Sequence, residues 1–256
     1  MRNRLLLPGL MMLMPALGHA AVEDAIEKAT NPLHLSTSVA LQDYYTPELY
    51  NSDRHLNDTL FRATVPLAAN SWVPVPQILR LTVPMATRPQ PQGYKTGPGD
   101  INVFDIFLLK QEGVKIGVGP LITADSASDD ALGSGKWQGG LSAVAIKSTP
   151  GWMAGTLVQW QKSFAGDDAR DDVETATFQP IFIYKFQGGW YLRSSGIWTW
   201  DRESDDYYIP VGIGGGRAWG VGGKVVSAFV EPQWTVAHDG DNLPKFTLFA
   251  GFSVVM

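Results

Sequence analysis

Cysteine is absent from this sequence, and histidine is scarce. Without cysteine the chain can form neither a disulfide framework nor a thiolate metal site, and it cannot be a lipoprotein anchored through an N-terminal cysteine. Long apolar runs are also missing, because no segment after residue 20 reaches the roughly 18 consecutive apolar residues of a transmembrane helix. If the chain lies in a membrane, it must therefore cross it as a closed barrel, since open strand edges are not tolerated in lipid.

The first 20 residues have the composition of a secretory signal peptide. Arg2 and Arg4 form a positive n-region, residues 5–17 form a short apolar h-region, and residues 18–20 fit a small-x-small cleavage site. Cleavage after Ala20 would remove two positive charges and no negative one, which lowers the net charge from −5 to −7. An acidic chain with no basic stripe is a poor nucleic-acid binder, so no nucleic-acid partner is expected.

From residue 33 onward, apolar and polar residues alternate with a period of two, which predicts β-strands with two different faces. In the segment 225–236, for example, Val226, Val230 and Trp234 alternate with Ser227 and Glu231. The predicted strands lie near 33–41, 56–68, 72–86, 100–110, 114–124, 136–147, 152–163, 173–186, 190–200, 207–217, 224–236 and 245–255. Each is about as long as a tilted strand that crosses a membrane, or somewhat longer. Prolines inside several of these segments predict bulges.

The connections between these segments alternate between long, often Asp-rich loops and tight turns. The long connections are 42–55, 87–98, 125–135, 166–172, 201–206 and 237–244, and the tight ones are 69–71, 111–113, 149–151 and 187–189. Outer-membrane barrels sort their connections in this way, with short periplasmic turns and longer outer loops. The predicted fold class is therefore all-β, a closed antiparallel transmembrane β-barrel of about 12 strands, spanning residues 33–256.

In this topology the apolar face of each strand contacts lipid and the polar face lines the lumen. The lumen-lining candidates are Arg62, Arg80, Asp105, Gln179, Lys185, Arg193 and Glu231. Their mixed charge argues against a strongly ion-selective pore. Four tryptophans, Trp152, Trp160, Trp190 and Trp200, bracket two strands as the two aromatic girdles of a membrane barrel would. A soluble barrel or sandwich, with its apolar face inward, is the alternative that periodicity alone leaves open.

A short helix is predicted before the barrel. Val22, Ala25, Ile26 and Ala29 recur at helical spacing, and Asn31-Pro32 ends the pattern. A helix of ten residues is marginal in isolation, so it must dock on another element. Residues 21–32 are therefore expected to sit in the lumen or at the periplasmic mouth, where they could act as a plug; a frayed N-terminus is the alternative.

Neither catalytic nor metal-binding residues are predicted. His34 and Ser36 lie two residues apart on one predicted strand, and their spacing alone does not make a nucleophile. The acidic clusters around residues 125–130, 167–172, 201–206 and 239–241 lack the spacing of an EF-hand and are read as solvated loops. No cofactor and no enzymatic activity are expected.

Several short motifs resemble a family of outer-membrane barrels catalogued as "MetA-pathway of phenol degradation" proteins, some of them labelled neuromedin U. The motifs lie at 27–35, 99–101, 117–120, 129–137, 163–168 and 179–180, and they follow one another over most of the chain. The resemblance implies an outer-membrane transporter or channel for hydrophobic or aromatic solutes. Unlike many such barrels, which end in Phe or Trp for the assembly machinery, this sequence ends in Met256, with Phe252 four residues earlier.

These observations predict passive passage of small, hydrophobic or aromatic compounds through a barrel in the bacterial outer membrane. The expected partners are outer-membrane lipid and lipopolysaccharide, a small-molecule solute and the barrel assembly machinery. Two alternatives remain: an enzyme that modifies outer-membrane lipid, and a plugged barrel with a structural or surface-interaction role.

Overall fold

The computed structural model describes residues 19–256. The predicted signal peptide, residues 1–20, lies outside them except for its last two residues. The predicted helix is present as α1, His19–Thr30. The strands are β1 Ser38–Leu49, β2 Leu56–Leu67, β3 Gln77–Pro89, β4 Tyr94–Pro98, β5 Asn102–Lys110, β6 Val114–Thr123, β7 Lys136–Ser148, β8 Trp152–Gly166, β9 Glu174–Lys185, β10 Trp190–Ser194, β11 Trp198–Asp201, β12 Tyr207–Gly212, β13 Gly214–Val221, β14 Lys224–Asp239 and β15 Pro244–Val255.

The strands form one closed antiparallel barrel. Each crossing of the barrel pairs with the crossings before and after it in sequence, and the barrel closes where β1 pairs with β15, from Ser38 opposite Val255 to Leu49 opposite Pro244. The fifteen strands of the described chain make twelve crossings, because β4–β5, β10–β11 and β12–β13 are each one crossing interrupted by one to three residues. The predicted fold class, a closed barrel of about 12 strands with a short N-terminal helix, is confirmed.

Two predicted boundaries are wrong for identifiable reasons. The first strand was expected at 33–41 but begins at Ser38, because Asn31 organises a turn in which its Oδ1 accepts a hydrogen bond from the Leu33 amide at 2.8 Å. The turn expected at 69–71 extends over 68–76, because Pro74 and Pro76 have no amide to donate to the ladder and β3 starts only at Gln77.

The connections sort by side as predicted, but only partly by length. One end of the barrel carries 50–55, 90–93, 124–135, 167–173, 202–206 and 240–243, and the other carries 68–76, 111–113, 149–151, 186–189 and 222–223. The predicted long loops 42–55, 87–98 and 237–244 are shorter because β1, β3, β4 and β14 stay paired into them. We call the first end the long-loop end and the second the tight-turn end.

Most of the strand prolines do not produce the predicted bulges, and register shifts also lie between Tyr45 and Leu49, Leu108 and Lys110, and Trp137 and Gln138. The β12–β14 register shifts between Ile209 and Pro210, where proline cannot donate to the ladder. Pro84, Pro180 and Pro232 lie within ladders whose register continues on both sides of them. The barrel therefore stays regular over most of its circumference.

The outer face of the barrel is a continuous apolar surface. In β14 the outward residues Val230 and Trp234 are 46% and 51% exposed, whereas the inward Ser227 and Glu231 are buried. Other exposed apolar side chains on the same surface include Leu41, Phe61, Ile116, Leu141, Val158, Phe182, Leu192, Val211, Leu248 and Phe252. Soluble monomers rarely expose contiguous apolar area beyond a few hundred Å². In the described part of the chain, no helix has the length and apolarity needed to span a membrane.

Replacing Leu141 with Arg tests whether this surface faces lipid. Leu141 lies near the middle of β7 and is 63% exposed, so a buried charge there should cost about 2–4 kcal/mol of unfolding free energy in a bilayer. Val221→Arg, at the end of β13 beside the turn, is the control and should cost at most about 1 kcal/mol. Urea unfolding in lipid vesicles measures both, and equal costs at the two positions would argue for a soluble barrel.

Candidate functional site

Helix α1 docks inside the barrel at the tight-turn end. Its Ile26 is fully buried, and Ala25 and Leu33 are nearly so, in one cluster with inward side chains of the wall such as Ile146 and Met153. The helix contacts β9, β13, β14, β15 and the turn Gln187–Gly189. The lumen is therefore apolar where the helix packs, and the hydrophobic effect holds the helix in place.

One carboxylate ties the helix to the barrel wall. Glu27 Oε2 accepts a hydrogen bond from Lys185 Nζ at 2.8 Å and another from Ser148 Oγ, and Lys185 also donates to the Thr149 carbonyl at 3.0 Å. Lys185 is almost fully buried. Burial by itself raises the pKa of Glu27, but the hydrogen bonds from Lys185, Ser148 and Asn31 outweigh burial and hold this pKa below its ordinary value.

The segment 31–37 continues across the tight-turn mouth. Its His34 and Leu35 border a small cavity beside Leu108, Gln111 and Lys115, on the opposite side of the barrel from β13 and β14. Within this segment Ser36 Oγ lies 2.9 Å from His34 Nδ1. Helix and segment together span the mouth before the chain enters the wall at Ser38.

Beyond the helix lies a polar cavity of about 160 Å³. Its basic lining residues are Lys28, His34, Arg62, Arg80 and Arg193, and its lining includes no aspartate or glutamate. Aromatic rings of Tyr44, Tyr191, Phe229 and Phe249 also face it, and serine, threonine and glutamine side chains fill most of the remaining wall. A cavity with these walls would attract an anion and admit water.

Two of the arginines lie next to each other on β2 and β3. Arg62 donates from Nη1 to Gln42 Oε1 at 2.6 Å, and Arg80 donates from Nε to Thr64 Oγ1 at 3.1 Å. The Arg80 guanidinium also lies 5.0 Å from the ring centre of Phe104. Neither arginine forms an ion pair with any residue of the described chain.

The third arginine is neutralised. Arg193 Nε donates to Glu231 Oε2 at 2.7 Å, and its guanidinium stacks 3.6 Å from the ring centre of Phe229. Glu231 is fully buried and also accepts hydrogen bonds from the Ser195 amide and hydroxyl, each at 2.8 Å, and from Gln233. Ser195 lies in the gap between β10 and β11, so Glu231 replaces a ladder bond that the broken strand cannot make.

The glycines on either side of residue 213 make room for this carboxylate. A Cβ at Gly212 would lie 2.7 Å from Glu231 Oε1, and one at Gly214 would lie 2.3 Å from the Val230 carbonyl. Only glycine leaves room for the buried carboxylate at this break between β12 and β13.

The prediction that Asp105 lines the lumen is wrong. Its neighbours in β5, Phe104 and Ile106, are buried in the interior cluster, so Asp105 lies on the opposite, outward face. It pairs there with Leu79, which is 37% exposed, and its Oδ1 is buried without a hydrogen-bond partner in the described structure. The alternation misleads here because the lumen beside the helix is apolar, so both faces of β5 carry hydrophobic residues and their polarity does not distinguish inside from outside.

The remaining candidates lie as follows. Gln179 borders the cavity and donates to the Ser195 carbonyl at 3.0 Å, whereas Lys185 binds the helix. Trp152 and Trp190 lie beside the tight turns, and Trp160 and Trp200 lie opposite Ala176 on the two neighbours of β9, toward the long-loop end. The eight residue-to-residue steps from Trp152 to Trp160 span roughly 26 Å of strand.

Asp100 organises the longest connection at the long-loop end, residues 124–135. Its Oδ1 accepts from the Ser126 and Ala127 amides, and its Oδ2 accepts from the amide and hydroxyl of Ser134. The separate motifs 99–101 and 129–137 therefore meet in space. Lys95 pairs with Asp129 at 2.6 Å, and this hydrogen bond lowers the pKa of Asp129. Within residues 19–256 no group of three or more acidic or histidine side chains is arranged to hold a metal.

Sequence reasoning missed several residues that shape the cavity. Gln42 and Tyr44 lie in a segment that was predicted to begin a loop, and Phe249 was not separated from its outward neighbours. Nothing in the sequence indicates the contact of Ser148 with Glu27, because this contact exists only when the helix is docked. The period of two, extended beyond residue 41, would have identified Gln42 and Tyr44.

Solved structures similar to this chain are outer-membrane barrels. The COG4313 outer membrane channel from Pseudomonas putida F1 has a TM-score of 0.64 at 14% identity, covering 88% of this chain and 97% of that one. The NanC porin has a TM-score of 0.56 at 9% identity, covering 85% and 98%. The KdgM porin has a TM-score of 0.50 at 12% identity, covering 84% and 97%. At such identities the likeness shows the fold, that of an outer-membrane β-barrel.

No family model matches the chain, and no curated protein matches it. The resemblance to the phenol-degradation family therefore stays a prediction.

Replacing Glu231 with Ala should destabilise the barrel strongly. The change leaves the Arg193 guanidinium buried without a counter-charge and the Ser195 amide without an acceptor, at a cost of about 3–5 kcal/mol in unfolding free energy. Removing both charges in Arg193→Met/Glu231→Leu should cost less than Glu231→Ala alone. Urea unfolding of the folded barrel measures both variants, and a double variant that loses as much stability as Glu231→Ala, or more, would show that the pair is not coupled.

Helix docking should depend on pH through Glu27. Because docking lowers the pKa of Glu27, its stabilisation is complete above the ordinary value of 4.5 and is lost as the pH falls toward the lower, docked pKa. Hydrogen exchange of residues 22–30, corrected for the intrinsic rate, should therefore show weaker protection at pH 4 than at pH 7. Glu27→Gln should remove most of this difference. An identical pH response in wild type and Glu27→Gln would contradict the assignment.

Proposed function

We propose that this chain is a channel of the bacterial outer membrane that passes small solutes by diffusion, with hydrophobic or aromatic compounds as the class suggested by the sequence resemblance. The observation that carries the proposal is the polar cavity inside a barrel whose outer surface is apolar. Diffusion through such a lumen needs no energy coupling, and the tyrosine and phenylalanine rings on its wall support passage of aromatic solutes.

The way in which the helix is held favours a channel over a permanently plugged barrel. A plug would be expected to pair its carboxylates with the arginines of the lumen. Glu27 instead binds Lys185 at the tight-turn end, and Asp24 pairs with Lys28 on the helix itself. Arg62 and Arg80 are therefore left facing the cavity, and the helix is held at the mouth by its apolar packing and by the one polar contact of Glu27.

An enzyme that acts on outer-leaflet lipid is the less favoured alternative. His34 and Ser36 are close enough to interact, but they lie in the segment before β1, at the tight-turn end. That end would face the periplasm in an outer-membrane barrel. The pair is therefore on the wrong side for lipid of the outer leaflet.

Single-channel recording in planar bilayers tests the proposal. Wild-type protein should conduct, and Glu27→Gln should raise the fraction of time spent open because it removes the acceptor of Lys185 and Ser148. Asp24→Asn removes an acidic residue of the same helix that is 54% exposed, and it should leave gating unchanged. Absence of both conductance and solute flux from correctly folded, reconstituted protein would refute a channel.

A further inference from the structure

We propose that Arg62 and Arg80 form a binding site for a small carboxylate that carries a single ring. The inference rests on the proposed channel function, since the ligand would be a solute in transit. It goes further, because it assigns the charge and size of the solute and the residues that bind it.

The two arginines are placed side by side by the strand register. Arg62 on β2 lies opposite Thr82 on β3, and Arg80 lies opposite Thr64, so the two arginines are diagonal neighbours on the inward face. Diagonal neighbours in antiparallel strands are about 7–8 Å apart at Cα, within reach of two long side chains. Both guanidinium groups can therefore contact one ligand.

The same two strands carry another arginine whose charge is balanced by an ion pair. Arg88 on β3 pairs with Asp58 on β2 at 2.7 Å, toward the long-loop end. Arg62 and Arg80 have only neutral partners, Gln42 and Thr64. Two like charges this close repel each other unless something compensates them. The compensating anion has to come from outside the described chain.

Arg62 also has unused hydrogen-bonding capacity. Its Nε is buried and has no hydrogen-bond partner, although buried donors are almost always satisfied. A guanidinium binds carboxylate through two parallel hydrogen bonds, and Nε together with one terminal nitrogen forms such a pair. A carboxylate at this position would satisfy the orphan donor and neutralise the charge in one step.

The rest of the cavity wall selects a ring. Tyr44 and Phe249 stack with centroids 4.0 Å apart, and Phe229 meets Phe249 edge to face at 4.8 Å. The cavity volume of about 160 Å³ is close to the ~150 Å³ of an apolar cavity known to bind benzene. The space therefore suits one ring with one acidic group, and it is too small for a polymer segment.

Arg193 does not compete for this ligand. Its charge is balanced by Glu231 and one of its faces is covered by Phe229. The net positive charge of the site comes from Arg62 and Arg80, because Lys28 at the helix is paired with Asp24.

Calorimetric titration of the purified, folded barrel in detergent tests the site, with benzoate as the probe. Benzoate should bind wild type. Arg62→Gln/Arg80→Gln should weaken binding by about tenfold or more, because each lost charge-assisted hydrogen bond costs about a factor of ten. Arg62→Lys/Arg80→Lys keeps the charge but loses the bidentate hydrogen bonding of the guanidinium, so its affinity should lie between those of wild type and the glutamine variant. The control is Arg88→Gln/Asp58→Asn, which removes a balanced pair from the same strands and should bind like wild type.

Two further ligands test the contributions of the charge and of the ring to affinity separately. Benzyl alcohol keeps the ring without the charge, and acetate keeps the charge without the ring; both should bind at least tenfold more weakly than benzoate. Equal binding of acetate and benzoate would overturn the ring assignment. Benzoate binding that survives in both Arg62/Arg80 double variants would overturn the site, as would the absence of binding to wild type. If the glutamine variant does not fold, the lysine variant carries the comparison.

Titration does not depend on conduction. A barrel that conducts but does not bind benzoate refutes this inference and leaves the channel intact. A barrel that binds benzoate without conducting refutes the channel and leaves the site.

Discussion

Main-chain hydrogen bonding is the constraint on which this structure depends. Hydrocarbon offers no partner to an amide or a carbonyl, so a strand sheet can sit in lipid only if its ladder closes on itself. The β1–β15 pairing closes the ladder, and it also brings the start and end of the barrel together at the tight-turn end. Wherever the ladder is interrupted, a side chain must supply the hydrogen bond that the main chain cannot make.

The interruption between β10 and β11 determines how charge is distributed in the lumen. Glu231 satisfies the Ser195 amide across the break, and its negative charge in turn holds Arg193. Glu231, the one glutamate predicted on the inner face, is therefore already engaged and cannot balance another charge in the lumen. Asp105, the other acidic residue expected there, faces outward. The cavity retains Arg62 and Arg80 without acidic partners, so a lumen expected to be of mixed charge is cationic.

The sequence predicts correctly which residues of a strand point inward where the two faces of that strand differ in chemistry. In β14 and β15 most inward positions are polar, small or aromatic and most outward ones are apolar or proline, which alternation alone reveals. It failed in β5, where the docked helix makes the lumen apolar and both faces carry hydrophobic residues. The pairing of arginines could not be predicted either, because it depends on the register between β2 and β3 and on which acidic residues are already engaged. These are properties of neighbouring strands, which a single strand does not encode.

The most direct test of a cationic, conducting lumen is the reversal potential of single channels under a KCl gradient. The structure predicts that chloride permeates more readily than potassium, and that Arg62→Gln/Arg80→Gln moves the reversal potential toward zero. Arg88→Gln/Asp58→Asn, which removes no net charge, should leave it in place. A channel that prefers potassium, or whose preference is unchanged in the Arg62/Arg80 variant, would contradict the account.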